Sequence, residues 1–135
     1  MIRAAAPVRL DFAGGWTDVP PFADREGGIV VNAAIDLRVE AEFEPGGTGI
    51  LLIAEDLGLA ARVDKPIDLA PDGQLELHKA ALRMLPTGPG TLRTRSQVPA
   101  GSGLGSSGAL DVALVSVLAA ARDEPLSPEE IAMLG

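Results

Sequence analysis

Residues 98–121, VPAGSGLGSSGALDVALVSVLAAA, decide how this chain is interpreted. The stretch passes from a loop rich in glycine and serine directly into a long apolar run, which favours a helix. Glycines let backbone N–H groups approach an anion closely, and the N-terminus of a helix adds unpaired donors and the positive end of its dipole. We therefore predict a phosphate-binding loop, followed by a helix from about Ser106 to Arg122.

Other kinds of glycine loop fit this stretch poorly. The Gly-x-Gly-x-x-Gly spacing that begins at Gly103 matches a dinucleotide loop, but no second strand ending in an acidic residue follows it. A Walker loop needs a lysine before Ser or Thr, and Ala109 and Leu110 stand there instead. A hydrolase elbow needs a histidine later in the chain, whereas His78, the only histidine, lies upstream. A flexible linker would not need Leu104 in its middle.

The composition indicates one domain with an aliphatic core. The 135 residues are 47% hydrophobic and only 3% aromatic, so Val, Leu, Ile and Ala have to fill the interior. A net charge of -8 argues against a nucleic-acid partner. The absence of cysteine excludes disulfides and a cysteine nucleophile. With neither a signal-peptide pattern nor a membrane-spanning run, we expect a cytoplasmic protein with no membrane partner.

The hydrophobic patterning predicts an α+β fold. We predict strands at 6–12, 28–34, 36–44, 49–55 and 90–98, the fourth being the hairpin partner of the third across the turn at 45–47. We predict helices at 74–85 and about 106–122, and a further helix that Ser127 caps with Pro128 at its first position. Residues 64–73 are expected to form a loop. His78 and Lys79 are expected to be solvated on their helix.

A second glycine loop, AGGWTDVPP at residues 13–21, has the character of a polyol site. Asp18 can accept hydrogen bonds from two adjacent hydroxyls, and Thr17 adds a donor and an acceptor. Gly14 and Gly15 would let a ring lie near the backbone, and Trp16 can stack on its apolar face. The alternatives are that Asp18 only stabilises a turn and that Trp16 is an ordinary core or surface aromatic.

Three polar residues flank this loop. Arg9, on the preceding strand, either reaches a phosphate or forms an ion pair. Asn32 and Asp36 flank the next predicted strand and can line the same pocket.

Both loops resemble motifs of the GHMP kinases, the superfamily of galactokinase, homoserine kinase and mevalonate kinase. PAGSGLGSSGAL is similar to their phosphate-binding motif, Pro-x-x-x-Gly-Leu-x-Ser-Ser-Ala, with a glycine where the final alanine is usual. Residues 6–36 resemble their first motif, in the version of the heptose 7-phosphate kinases and L-fucose kinases. Heptose kinases usually have Ala-Gly-Gly-Gly-Thr-Asp here, and Trp16 is more similar to the fucose-kinase version.

The resemblance implies Mg²⁺-dependent phosphoryl transfer from ATP to a sugar or sugar phosphate. It implies an α+β domain with a mixed, mostly antiparallel sheet, helices on one face and a ribosomal-protein-like βαβ unit with a left-handed crossover. The implied ligands of the ATP phosphates are Pro99, Gly101, Gly103, Leu104, Gly105, Ser106, Ser107 and Gly108, with Mg²⁺ at Ser107 and Ser106. The implied substrate ligands are Arg9, Gly14, Gly15, Trp16, Thr17 and Asp18.

The resemblance also implies an incomplete enzyme. Residues 1–135 correspond to the N-terminal ATP-binding domain, and the family's base and C-terminal domain would lie beyond residue 135. We therefore expect little or no activity from the chain alone, and self-association through apolar surface left exposed. Two alternatives stay open, a non-catalytic module that binds a nucleotide or other small molecule, and a dinucleotide oxidoreductase.

Overall fold

The computed structural model describes residues 1–134 as one sheet with helices packed against it. The strands are β1 (Ile2–Ala13), β2 (Val31–Pro45), β3 (Ile50–Ala54), β4 (Leu59–Val63) and β5 (Gly90–Ser96). The helices are α1 (Phe22–Glu26), α2 (Glu76–Met84), α3 (Ser106–Ala121) and α4 (Pro128–Leu134), with a 3₁₀ turn at Pro66–Leu69. Within these residues, none of the helices is long and apolar enough to cross a membrane.

The sheet is mixed and mostly antiparallel, with the strand order β1-β2-β5-β3-β4. β5 runs antiparallel to β2 on one side and parallel to β3 on the other. The chain between the parallel strands contains β4, the 3₁₀ turn and α2. This arrangement confirms the α+β class, and the left-handed crossover stays a prediction.

The core lies between the sheet and helix α3, and it is aliphatic as predicted. α3 contacts β1 and β2 along its length and also packs against α2. Phe43 is the one buried aromatic side chain among residues 1–134, while Phe12, Trp16 and Phe22 are exposed. The remaining core side chains are mostly Ala, Val and Leu, among them Val39, Leu52, Leu82, Leu92, Leu114, Val117 and Leu118.

β1 and β2 form a long antiparallel ribbon, which corrects the prediction of separate strands at 28–34 and 36–44. β1 pairs with β2 from Ile2↔Phe43 to Ala13↔Val31, with irregularities after Pro7 and after Asp11. β5 pairs with β2 only from Val39 onward. The part of the ribbon before Val39 therefore extends beyond the five-stranded sheet.

The predicted hairpin between 36–44 and 49–55 is wrong, although both segments are strands. β5 lies between them, because Gly90 lets β5 approach β2 closely. A Cβ at Gly90 would lie 2.5 Å from the ring of Phe43. β3 forms its hairpin with β4 instead, across a turn in which Gly58 has φ +64°. β4 was not predicted, since the strand has only five residues and is rich in alanine.

His78 and Lys79 are both buried, which corrects the prediction that they are solvated. Each is 2% exposed. His78 shares with Leu75 and Leu82 the helical spacing that faces the core. Lys79 Nζ forms an ion pair with Asp72 at 2.5 Å, and this contact holds the preceding loop against α2. The Lys79 side chain holds the pKa of Asp72 below its ordinary value.

The cap predicted before α4 is confirmed. The Glu130 N–H donates to Ser127 Oγ at 3.2 Å, and the Ser127 N–H donates to Glu130 Oε2 at 2.8 Å. This reciprocal pair is a capping box. The hydrogen bond that the Ser127 N–H donates to the Glu130 carboxylate lowers the pKa of Glu130.

Candidate functional site

The loop at residues 14–18 is folded tightly against residues 27–30. A Cβ at Gly14, which has φ +79°, would lie 1.9 Å from the carbonyl oxygen of Ile29. A Cβ at Gly28 would lie 2.0 Å from the carbonyl oxygen of Thr17. Thr17 Oγ1 donates to the Gly14 carbonyl at 2.7 Å and accepts from the Ile29 N–H at 3.2 Å. The Thr17 hydroxyl therefore holds the loop in shape.

Trp16 is displayed at the tip of this loop. Its backbone is left-handed, with φ +72°, and 84% of the residue is exposed. Such a φ is strained for a bulky residue, and strain of this kind is concentrated at functional sites. The structure thus places Trp16 where it is free to contact a ligand and excludes it from the core.

A cavity of about 490 Å³ lies between this loop and the ribbon, and we call it the loop cavity. The carboxylate of Asp18 has no hydrogen-bonding or ion-pair partner within the described part of the chain. The residues that line the loop cavity are Arg9, Asp11, Gly15, Trp16, Asp18, Val19, Val30 and Asn32. The structure thus brings together most of the residues predicted to bind the substrate.

Arg9 forms the ion pair that was one of its two predicted roles. Arg9 Nε lies 3.0 Å from Asp11 Oδ1. Asn32 is the register partner of Asp11, so it lines the same cavity. Asp36, which was also expected there, lies outside the lining and pairs with Arg38 at 3.2 Å.

The glycine loop before α3 presents backbone donors. Gly101, Gly103 and Gly105 have φ values of +76°, +75° and +69°, a region that glycine adopts readily. Gly105 caps α3 without a side chain, and its carbonyl accepts from the Ala109 N–H at 3.1 Å. In residues 1–134 we find no acceptor for the three N–H groups at 106–108. No acidic side chain occupies the first turn, so these donors and the helix dipole suit an anion.

A second cavity, of about 500 Å³, adjoins the first turn of α3, and we call it the helix cavity. Its walls include the glycine loop, Ser106 and Ser107. The apolar part of its lining is Val39, Ala54, Leu57, Leu77 and Leu110. Asp56, His78, Thr94 and Ser96 supply the polar part.

His78 lies in the helix cavity as a neutral imidazole. Its Nε2 is 2.8 Å from Thr94 Oγ1. Burial lowers the pKa of His78 to about 4, against an opposing effect from the charge of Asp56. The contact with Thr94 occupies Nε2, so Nδ1 is the ring nitrogen through which His78 could bond a ligand.

Arg9 lines the loop cavity and also contacts the glycine loop, which is part of the wall of the helix cavity. Its backbone N–H donates to the carbonyl of Leu104 at 2.9 Å, which joins β1 to the glycine loop. A Cβ on Gly105 would lie 3.2 Å from Arg9 Nη1, so the guanidinium lies directly against the cap of α3. Arg9 thus lies beside both the loop predicted to bind a polyol and the N-terminal end of α3, which suits an anion.

Ser106 and Ser107 fit a metal ion that arrives with phosphate. Residues 1–134 hold no group of three or more His, Asp or Glu side chains that would bind a metal by themselves. Mg²⁺ is commonly held by one or two protein oxygens together with substrate phosphates, and two serine hydroxyls beside the free N–H groups meet that need.

Sequence reasoning missed His78, Thr94 and Asp56 as site residues. A signal was available for His78, since it stands three residues after Leu75 and four before Leu82 on the buried stripe. No such signal exists in the sequence for Thr94 and Asp56, because only the parallel pairing of β3 with β5 brings them to the same cavity.

Comparisons with known proteins support a kinase-like domain. The GHMP kinases N terminal domain matches residues 75–135. The D-glycero-alpha-D-manno-heptose 7-phosphate kinase of Campylobacter jejuni is 32% identical over 98% of this chain, which covers 41% of that protein. The bifunctional fucokinase/GDP-fucose pyrophosphorylase of Arabidopsis thaliana is 33% identical over 98% of this chain, which covers 14% of that protein.

The fold comparison agrees with these relatives. A crystal structure of a D-glycero-D-manno-heptose 1-phosphate kinase from Bacteroides thetaiotaomicron superimposes with a TM-score of 0.84 at 30% identity. The match covers 99% of this chain and 46% of the other. The chain therefore spans less than half the length of each of these three proteins.

Proposed function

We propose that this chain, of which residues 75–135 match the GHMP kinases N terminal domain, binds ATP and a sugar for phosphoryl transfer. The observation that carries the proposal is that Arg9, which lines the loop cavity, also contacts the glycine loop that lines the helix cavity. Phosphoryl transfer needs a donor and an acceptor held close together, and two cavities on either side of one arginine would suit that geometry.

The helix cavity is the proposed nucleotide site. The N–H groups at 106–108 would hold phosphate oxygens, and Ser106 and Ser107 would hold Mg²⁺ that arrives with them. The apolar walls suit a flat base, and the neutral His78 offers it a hydrogen bond. When bound, ATP supplies the phosphoryl group, and the cation neutralises its charge.

The loop cavity is the proposed sugar site. The free carboxylate of Asp18 accepts hydrogen bonds from sugar hydroxyls, and Asn32 adds an amide. Trp16 covers an apolar ring face. Arg9, between the two sites, carries positive charge beside the path of the transferred group.

We propose that residues 1–135 bind both ligands but need further residues for rapid turnover. The chain covers 41% of the Campylobacter jejuni relative and 46% of the Bacteroides thetaiotaomicron structure, which leaves room for a base and a second domain. The second candidate is a binding module without chemistry. We place the reaction in the cytoplasm, where ATP is available.

Ligand-induced stabilisation tests the nucleotide site directly. Mg-ATP should raise the thermal midpoint of the chain while NAD leaves it unchanged, since a ligand that binds only the folded state stabilises it. Ser107→Ala should weaken Mg-ATP binding about tenfold, the effect of losing roughly 1.4 kcal/mol. Ser102→Ala is the matched control, because Ser102 is an exposed serine of the same loop outside the cavity lining.

Turnover tests the chemistry. A coupled assay with a panel of sugars should show phosphorylation by the chain extended to the length of its relatives, and about none by residues 1–135 alone. Turnover by the short chain would refute its proposed dependence on further residues. Binding of Mg-ATP and sugar with no turnover in either form would favour the non-catalytic module.

A further inference from the structure

We propose that a third cavity, at the opposite end of α2 from the helix cavity, binds a small amphipathic monoanion, a carboxylate on an apolar chain. We call it the distal cavity, and its volume of about 630 Å³ lies within the usual range for small-molecule sites. The residues of its lining that matter here are Ile50, Val63, Lys65, Leu69, Leu82 and Arg83. This site goes beyond the proposed function, since neither the sugar nor the nucleotide is assigned to it.

The distal cavity and the helix cavity lie at opposite ends of the same elements. Ile50 begins β3 and lines the distal cavity, whereas Ala54 ends β3 and lines the helix cavity. On α2, Leu77 and His78 line the helix cavity, and Leu82, about one turn further on, lines the distal cavity. A ligand in the distal cavity therefore leaves the proposed nucleotide site free.

The floor of the distal cavity is apolar. Leu82 is 1% exposed and Val63 is 7% exposed, and both belong to the hydrophobic core. Ile50 and Leu69 are half-buried and pack against that core. Because these four side chains carry no polar group, the floor suits an apolar chain, whose removal from water favours binding.

Two basic side chains at this cavity lack the acidic partner that most basic side chains of the protein have. Eight of the eleven Lys and Arg residues form an ion pair with a side-chain carboxylate. Within residues 1–134, the three that form none are Arg25, Lys65 and Arg83. Lys65 and Arg83 both line the distal cavity. In a chain of net charge -8, this local positive charge favours an anionic ligand.

The neighbouring acidic residues reduce this positive charge without cancelling it. Asp64 also lines the cavity, but Arg62 Nε lies 2.9 Å from both of its carboxylate oxygens. Asp68 Oδ2 accepts from the N–H groups of Asp64 and Lys65, each at 2.9 Å. These hydrogen bonds, followed by the charge of Lys65, lower the pKa of Asp68. Asp68 thus offsets part of the charge of Lys65, and the charge that remains at Arg83 matches a single carboxylate.

Arg83 is held in a position to bind the head group of such a ligand. Its Nη1 donates to the carbonyl of Leu69, which lines the same cavity. Within the part of the chain that the structure describes, the Arg83 side chain forms no other hydrogen bond. A guanidinium has several N–H donors in a fixed fork, so a carboxylate can bind through the donors that remain.

Ligands that share an alkyl chain separate the effect of charge from that of the apolar floor. Sodium octanoate and 1-octanol have chains of the same length and differ in the head group, and acetate keeps the head group without the chain. In calorimetric titrations of residues 1–135, we expect octanoate to bind about fivefold or more tightly than 1-octanol, and acetate to bind more weakly than both. Equal affinities for octanoate and 1-octanol would refute the role of the cations. Binding of neither would refute the site.

NMR locates the ligand on the unaltered chain. On addition of octanoate, the backbone N–H signals of Ile50 and Thr87 in the distal cavity should shift, and those of Gly101 and Gly103 in the helix cavity should not. Mg-ATP should leave the affinity for octanoate unchanged. Shifts confined to Gly101 and Gly103, or displacement of octanoate by Mg-ATP, would place octanoate in the helix cavity and overturn the inference. Those results would leave the proposed function standing.

Two variants test the role of Arg83. Arg83→Gln removes the cation and should weaken octanoate binding about fivefold or more, while the affinity for 1-octanol stays the same. Arg25→Gln is the matched control, because Arg25 also forms no ion pair within residues 1–134 and lies on α1, outside the distal cavity. An unchanged affinity for octanoate in folded Arg83→Gln, or an equal loss in Arg25→Gln, would contradict the inference.

Two further measurements do not depend on the folding of a variant. Rising salt screens the attraction between charges, so the preference for octanoate over 1-octanol should shrink as salt increases. A preference that is independent of salt would refute the charge argument. The chain extended to the length of its relatives should bind octanoate as residues 1–135 do. Loss of binding in the extended chain would show that later residues fill the distal cavity, and it would overturn the inference.

Discussion

Arg9 and Leu104 are joined by a backbone hydrogen bond of 2.9 Å, and this contact connects the two motifs of the sequence. The motifs are about ninety residues apart in the chain. Arg9 lies on β1, which leads into the loop predicted to bind a polyol, whereas Leu104 lies in the glycine loop that precedes α3. The position of one loop therefore fixes the position of the other.

Gly14 should tolerate no side chain. In Gly14→Ala, the new Cβ would lie 1.9 Å from the Ile29 carbonyl oxygen, at a backbone φ of +79°. We expect a loss of about 2–4 kcal/mol in the free energy of unfolding, measured by urea denaturation. Gly15→Ala is the control, since its Cβ would meet nothing within 4 Å, and it should change stability by less than about 0.5 kcal/mol. Equal effects of the two substitutions would show that the loop is not packed as described.

Gly105 should transmit changes from the helix cap to the sugar site. Gly105→Ala and Gly101→Ala share a positive φ, and each should cost about 1 kcal/mol of stability. Only the Cβ at Gly105 would meet Arg9, at 3.2 Å from Nη1. We expect Gly105→Ala to weaken sugar binding about threefold or more and Gly101→Ala to leave it unchanged, as measured by calorimetry. Loss of sugar affinity in both variants would argue against a specific role of the Arg9 contact.

His78 should make the domain acid-sensitive. Its folded pKa of about 4 lies below the ordinary value of 6.5, so its contribution to stability is fully present above about pH 6.5 and is lost as the pH falls towards 4. The free energy of unfolding should fall by about 2 kcal/mol between about pH 7.5 and about pH 5.

A variant isolates this titration. His78→Gln cannot be protonated and should flatten the stability profile over that range. The pKa values of Asp68, Asp72 and Glu130 are lowered from ordinary values of 3.8, 3.8 and 4.5, so their contributions are lost only at lower pH. A slope that persists in His78→Gln would assign the acid sensitivity to another group.

We expect Trp16 to lower the free energy of unfolding and to strengthen sugar binding. Trp16→Gly removes the strain of a bulky residue at φ +72°, and we expect a gain of about 1 kcal/mol in the free energy of unfolding. The same change should weaken sugar binding, because the indole ring of Trp16 would no longer cover the apolar face of the sugar. Trp16→Ala keeps the backbone strain, so it should lose sugar affinity without gaining stability. A Trp16→Gly variant that binds sugar normally would make Trp16 a surface residue without a role.

Local sequence patterns predicted much of the fold because most elements follow from short-range physics. Helix α2 and strand β5 carry clear periodicity, helix α3 is a long apolar run after a glycine loop, and the Ser127 cap is decided within four residues. The pairing of strands is different. Gly90 lies opposite Pro45 and leaves room for the ring of Phe43 where β5 pairs with β2, and no pattern within either strand predicts that contact.

The residues of the candidate site also fall into those that local sequence predicts and those that only strand pairing brings together. The glycine loop and Asp18 were predicted, since each carries its chemistry in consecutive residues. Thr94 and Asp56 were not, because they become neighbours of His78 only after the sheet has formed. Thr17 was expected to contact substrate through its hydroxyl, and that group is bonded to the backbone of Gly14 and Ile29.

The overhang of the β1–β2 ribbon has a mechanical consequence. Before Arg38, β2 has a strand partner on one side only, and an isolated two-stranded hairpin is marginally stable in water. The loop with Trp16 and Asp18 therefore lies at the free end of this ribbon. The other end belongs to the five-stranded sheet, and the hydrogen bond from Arg9 to Leu104 holds the ribbon to the glycine loop. We expect a ligand that contacts both this loop and the N-terminus of α3 to restrict the motion of the ribbon, so that binding of one ligand would strengthen binding of the other.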